Sequence, residues 1–407
     1  MREGVQRPWH ISLLLLIALM PATSNLFLYS FVLLSTAKDW GLTPFWAAII
    51  GFAPMAAQPV GGLIFGSLSD HYGRRNALLL SLFLSGLSAA LSGFSFGPFD
   101  FGVYRLLLGM VIGGQWAVSM TLVSEVWQAE MRGRGVGIAQ TSFPAGFIYA
   151  SAMALWVGPS SGWRILLMLG ALPAAIALPL AYLTIRESPV WVADVSKRAA
   201  ERVSYREIFQ PGLLKYTVLG TLVMFIGSFG AWSLNPWIPI YLGTLGVGPE
   251  RIPVLTLLIM VGAFAGYSLY GFISDRLGRR LTFQIFFIGM AFGLASFGFI
   301  PSRTWFAGEG DASMISIVLL GGWATFFLGY FSGYGSLFAE LFPTRVRSRG
   351  IGFCYSIGGI GGAIGPASTG YLSSLFGIGN AFVIVSLTFL IGSAVVSLFP
   401  ETKGKRL

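Results

Sequence analysis

The chain has 407 residues, 55% hydrophobic and 10% charged, with a formal net charge of +10. A soluble domain carries roughly 25% charged residues, so water is not the main solvent. The basic residues sit in short segments between apolar runs, a pattern that excludes a nucleic-acid surface and belongs to orientation signals of a multi-span protein.

Apolar runs long enough to cross a hydrocarbon core, about 20 residues each, recur along the whole chain. Runs such as Ile11 to Leu34 do not alternate, so a spanning β-barrel is excluded. The N-terminal run is too long for a signal peptide and lacks a clear cleavage site, and is read as the first span. The expected spans are 11–36, 44–66, 77–97, 102–124, 135–157, 164–185, 214–242, 252–274, 281–300, 313–337, 350–375 and 380–399. The fold class is therefore an all-α membrane protein of about twelve transmembrane helices. Its expected parts are an N-terminal six-helix bundle (1–185), a cytoplasmic linker (186–213) and a C-terminal six-helix bundle (214–407).

With the N-terminus inside, twenty-one of the 26 Lys and Arg residues fall on one side. That side holds Arg2, Arg7, Arg74, Arg75, the 186–215 segment and the tail, whereas Lys38, Arg164, Arg251 and Arg303 face the other. The positive-inside rule then places both termini in the cytoplasm of a multi-pass protein of the cell membrane.

In the first span, Asn25 and Tyr29 are four apart and share a helix face, making them candidates to line a site. Arg105, in the fourth span, is the single charge placed inside a span. Such a charge is a functional candidate by default, and its guanidinium matches a carboxylate in two-pronged geometry; a packing role is the alternative. Gln115 stands ten residues further, near mid-membrane, where it faces a cavity or joins helices. Trp232, Asn235 and Trp237 sit where Pro236 and Pro239 interrupt the seventh span, and broken helices often expose backbone groups to a site. An interfacial aromatic belt would also explain the tryptophans.

Two alignments reveal an internal duplication. GSLSDHYGRR (Gly66 to Arg75) matches GFISDRLGRR (Gly271 to Arg280) at an offset of 205, and EVWQAEMRGRGVG (Glu125 to Gly137) matches ELFPTRVRSRGIG (Glu340 to Gly352) at 215. The second offset pairs Gln115 with Tyr330 and Trp116 with Phe331, so polar and aromatic groups from both halves are expected at one depth. Repeated six-helix units place a substrate site between the halves near mid-membrane. Gly66 and Gly271 would allow close helix approach, while Asp70 and Asp275 are read as opening helices whose positive ends favour a carboxylate. The run GGIGGAIG (Gly358 to Gly365) has no preceding strand and is read as helix packing, not a dinucleotide loop.

The repeated G-x-x-x-D-x-x-G-R-R segment resembles the hallmark loop of the major facilitator superfamily, and the resemblance covers the whole chain. It implies conformational gating by Asp70, Arg74, Arg132 and Arg134 in one half and Asp275, Arg279, Arg347 and Arg349 in the other. Asp70 is expected to pair with Arg132 or Arg134, and Asp275 with Arg347 or Arg349. GMVIGGQW (Gly109 to Trp116), Gly162-Trp163-Arg164, RESPVW (Arg186 to Trp191) and PETKG (Pro400 to Gly404) together resemble the sialate and lactate:proton symporter group. Sugar porters share the last two elements. That group carries Glu where Gln115 stands and an acid near Asn25, and a neutral amide cannot exchange a proton near neutral pH.

No buried carboxylate pair, nucleophile set or metal cluster is apparent, so no enzyme activity, cofactor or metal is expected. The expectation is a monomeric secondary transporter in the bilayer, working by alternating access on a small organic anion, a carboxylate. If protons couple, either the substrate enters protonated or a span-end acid such as Asp39 or Asp100 serves; facilitated diffusion is equally open. A sugar or other neutral-solute carrier is the alternative, followed by efflux of hydrophobic compounds and then by a non-transporting sensor.

Overall fold

The computed structural model describes residues 8–42, 44–157, 162–195, 204–248, 251–299 and 311–405. Arg2, Arg7, Arg303 and linker residues 196–203 lie outside the described residues.

The N-terminal half begins with α1 (Pro8–Asp39), α2 (Pro44–Tyr72), α3 (Arg74–Gly93) and α4 (Pro98–Val126). Its fifth and sixth spans are each broken once, into α5 (Arg132–Gln140) with α6 (Ser142–Val157) and α7 (Trp163–Leu169) with α8 (Leu172–Thr184). A short α9 (Pro189–Val195) and a 3₁₀ turn (Tyr205–Phe209) lead to the second half. There, α10 (Pro211–Leu234) and α11 (Ile238–Thr244) flank a 3₁₀ turn at Asn235–Trp237, where Pro236 and Pro239 remove backbone donors. α12 (Ile252–Leu277), α13 (Arg279–Phe299), α14 (Asp311–Phe326), α15 (Phe331–Leu341), α16 (Arg347–Gly358), α17 (Gly361–Phe376) and α18 (Ile378–Val396) complete the order.

Among the described residues, nine helical runs are long and apolar enough to cross a membrane. The other three expected spans are α2, α5–α6 and α16–α17. Three of these segments form the seam between the halves: α2 packs along α16, and α5 packs along α12. The Gly358 to Gly365 run packs on α10.

Both halves turn in the same way after their second span. Gly73 and Gly278 each have φ +99°, a conformation that favours glycine, and each ends one helix and begins the next. Gly66 and Gly271 lie on the seam, facing Ser348 and Gly133 of the opposite half. At Gly271 a Cβ would collide with the Gly133 carbonyl. Gly271→Leu is therefore expected to overpack the seam by about 1–3 kcal/mol without disrupting either bundle. Uptake should fall roughly tenfold while the detergent-solubilised protein still elutes as one sharp species; unchanged uptake would contradict this packing.

Candidate functional site: a cavity between the halves

The seam encloses a cavity of about 60 Å³, room for roughly four waters. The first half contributes Leu19, Thr23 and Leu26 from α1, Gln58 from α2, Gln115 and Trp116 from α4, and Gln140 and Phe143 at the α5–α6 break. Ser228 and Trp232 from α10, Asn235 from the 3₁₀ turn, Tyr267, Phe331 and Tyr355 come from the second half. Among the described residues, no charged side chain lines it.

Aromatic contacts across the seam close the end nearer the arginine-rich face. The Trp116 and Tyr355 rings stack at 3.5 Å with 12° between planes. Phe143, Tyr267 and Phe331 form a nearly parallel series. Gln140 locks this layer, accepting from Trp116 Nε1 at 2.8 Å and donating through Nε2 to the Phe331 carbonyl at 3.1 Å. At the other end, Trp232 packs against the cluster containing Ala22, Leu26 and Ile112 of the first half.

Of the seven candidate binding residues, Gln115, Asn235 and Trp232 line the cavity. Gln115 is fully buried and donates through Nε2 to the Ala18 carbonyl at 3.0 Å. The other four are elsewhere. Arg105 is engaged near the outer end of α4, where Nη1 donates to the Asn25 carbonyl at 3.2 Å and the guanidinium lies 4.5 Å from the centre of the Tyr29 ring. Asn25 itself donates to the Gly170 carbonyl. Tyr330 falls in a 3₁₀ turn (Phe327–Tyr330), whose tighter winding turns its hydroxyl towards α10, where it donates to the Gly227 carbonyl at 2.7 Å. Phe331, the partner of Trp116 in the duplication, does reach the cavity. Trp237 donates to the Pro366 carbonyl instead. Asp39 and Asp100 also lie away from the cavity, accepting from Trp163 Nε1 and from the Phe96 and Gly97 amides.

The arginine-rich face is sealed by two matching ionic clusters, and their pairing corrects the expected one. Asp70 does not meet Arg132 or Arg134. It binds Arg74 at 3.0 Å and, across the seam, Arg349 at 3.5 Å. Asp275 binds Arg279 at 2.6 Å and Arg134 at 3.5 Å, not Arg347 or Arg349. Each Asp ends a helix rather than beginning one, and the positive helix end it meets belongs to the opposite half. Asp70 accepts from the Ser348 and Arg349 amides at the start of α16, and Asp275 from the Gly133 and Arg134 amides at the start of α5.

Glu125 and Glu340 are the buried centres of these clusters, and sequence reasoning passed over them. Glu125 holds Arg74 at 3.0 Å and Arg347 at 2.7 Å; Glu340 holds Arg132 at 2.8 Å and Arg279 at 3.2 Å. Each opens one of the two aligned blocks, which was the available signal. Glu187 of RESPVW accepts from the Arg74 and Arg75 amides, and Glu401 of PETKG from those of Arg279 and Arg280. Beside Arg349, burial pushes the Tyr205 phenol up, so it remains a donor, here to the Leu63 carbonyl.

The pattern of the Major Facilitator Superfamily matches residues 13–329 and 221–407. The chain is 28% identical to a probable 4-methylmuconolactone transporter of Cupriavidus pinatubonensis over 93% of its length and 87% of the relative's. It is 28% identical to the sialic acid transporter NanX of Escherichia coli, over 89% and 87% of the two chains. The proton:xylose symporter XylE, solved with 6-bromo-6-deoxy-D-glucose, superposes with a TM-score of 0.82 at 19% identity, covering 98% of this chain and 97% of that one; at that identity the likeness speaks for the fold alone. With two duplicated half-bundles around one central cavity, the chain belongs to the Major Facilitator Superfamily and is a multi-pass membrane transporter, not an enzyme.

Proposed function

We propose that this transporter carries a small organic acid, a carboxylate in solution, by rocking its halves about the central cavity. The observation that carries this reading is the cavity itself, which sits on the seam and is bounded by side chains of both halves. The sialic acid carried by the relative supports the substrate class. The arginine-rich face is assigned to the cytoplasm of a cell-membrane protein with both termini inside, following the positive-inside rule. The working unit is a monomer.

Alternating access requires the sealed face to open. Asp70, Arg74, Arg132, Arg134, Asp275, Arg279, Arg347 and Arg349, with Glu125 and Glu340, form the gate. Four of the ionic contacts described above cross the seam, Asp70–Arg349, Asp275–Arg134, Glu125–Arg347 and Glu340–Arg132, so they must part together. A neutral sugar is the second reading, favoured by the uncharged wall of amides, hydroxyls and aromatic rings.

Labelled sialic acid, lactate, pyruvate and glucose presented to proteoliposomes decide between the two. Acid uptake is expected, with Asn235→Ala lowering kcat/KM roughly tenfold through lost hydrogen bonding. Arg105→Ala should leave KM within roughly threefold, since Arg105 is engaged elsewhere. Glucose uptake without acid uptake would replace the carboxylate reading with the sugar reading.

The gate has its own test. Glu125→Gln leaves Arg74 and Arg347 facing a neutral amide, and breaking such a buried pair costs about 3–5 kcal/mol. The sealed state should lose population to the open one. Spin labels at the exposed positions Tyr72 and Leu277, one on each half, are expected to report a longer distance in the variant than in wild type. An unchanged distance distribution would remove Glu125 from the gate.

A further inference from the structure

Two acceptors in the cavity wall face no donor. Gln115 Oε1 is buried and has no hydrogen-bond partner. Its amide is fixed the right way round, because turning it over would set an oxygen against the Ala18 carbonyl that Nε2 now serves. Asn235 Oδ1, from the other half, is also buried and without a partner. A buried acceptor left unsatisfied is costly, so the site is complete only when its occupant supplies donors.

Among the described residues, no charged side chain at the wall compensates a negative charge. The titratable groups lining it among those residues are the phenols of Tyr267 and Tyr355, and α1, α2, α4, α5, α10 and α16 contribute no described acid or base there. On α4 itself the nearest charges are Arg105, held by the Asn25 carbonyl and the Tyr29 ring, and Glu125, locked between Arg74 and Arg347. A carboxylate in this cavity would be an uncompensated buried charge set against two acceptors, whereas a neutral carboxylic acid brings one O–H donor and one carbonyl acceptor.

We infer that the substrate crosses as the neutral acid, donating its O–H to Gln115 Oε1, so that the proton is carried by the substrate and not by a side chain. This rests on the carboxylate reading above. On entry the carboxylate takes one proton from the aqueous phase, forming the acid O–H; on exit that O–H bond breaks and the proton returns to water. One proton moves with each acid and no net charge crosses the membrane.

The test uses wild-type protein in proteoliposomes and whichever acid of the sialic acid, lactate and pyruvate set is taken up. The neutral fraction of such an acid falls about tenfold per pH unit above its pKa, so KM in total acid should rise about tenfold between pH 6 and pH 7. Its primary amide, which cannot ionise, should compete at both pH values with equal strength, and uptake should be indifferent to an imposed membrane potential. Gln115→Met, which retains the volume but not the acceptor, should lose uptake roughly tenfold with its detergent elution profile unchanged. A KM independent of pH, with no competition by the amide, would overturn this inference and leave the carboxylate reading standing. Uptake of glucose alone would overturn both.

Discussion

Two buried carboxylates, Glu125 and Glu340, hold the halves together at the arginine-rich face, and most of the architecture there is arranged around them. Each binds one arginine of its own half and one of the other. Asp70 and Asp275 extend the clusters and also occupy the positive ends of α16 and α5. A buried ion pair is a poor source of net stability, because desolvation offsets much of its attraction. That near balance suits a gate: the clusters fix the register of the closed seam without making closure irreversible. The geometric condition is close backbone approach, met where Gly271 faces Gly133.

The glutamates of RESPVW and PETKG serve a different purpose at the same face. Glu187 and Glu401 fill the helix N-termini of α3 and α13, leaving Asp70 and Asp275 free to reach across the seam. The duplication therefore repeats a set of roles, with each half supplying a carboxylate to its own helix start and another to its partner's.

Above this seal the cavity lies where helices are interrupted: the α5–α6 break, the 3₁₀ turn between α10 and α11, and the turn after Gly358. Interrupted helices carry irregular backbone that is tolerated at membrane depth only where protein buries it or a cavity receives it. The resulting wall is aromatic and polar but uncharged. Arg105, the arginine the sequence placed inside a span, is engaged outside it, so that charge stands apart from the candidate binding site.

Fold class, the duplication, the membrane setting and the arginine-rich face were legible in the sequence because they depend on local quantities: run length, composition, repeated spacing and charge distribution. Three cavity residues, Gln115, Trp232 and Asn235, were also within reach, since depth along a helix and proline interruptions are local too. Which face of a helix meets which neighbour is not local. Arg105, Asn25, Tyr29 and Tyr330 have suitable chemistry at suitable depth, yet rotation about the helix axis, and in Tyr330 a 3₁₀ turn, directs them to backbone carbonyls or to one another. The ionic partners were misassigned within each half for the same reason. Offsets of 205 and 215 establish that the halves are alike, but only their docking decides that Asp70 meets Arg349 and Asp275 meets Arg134.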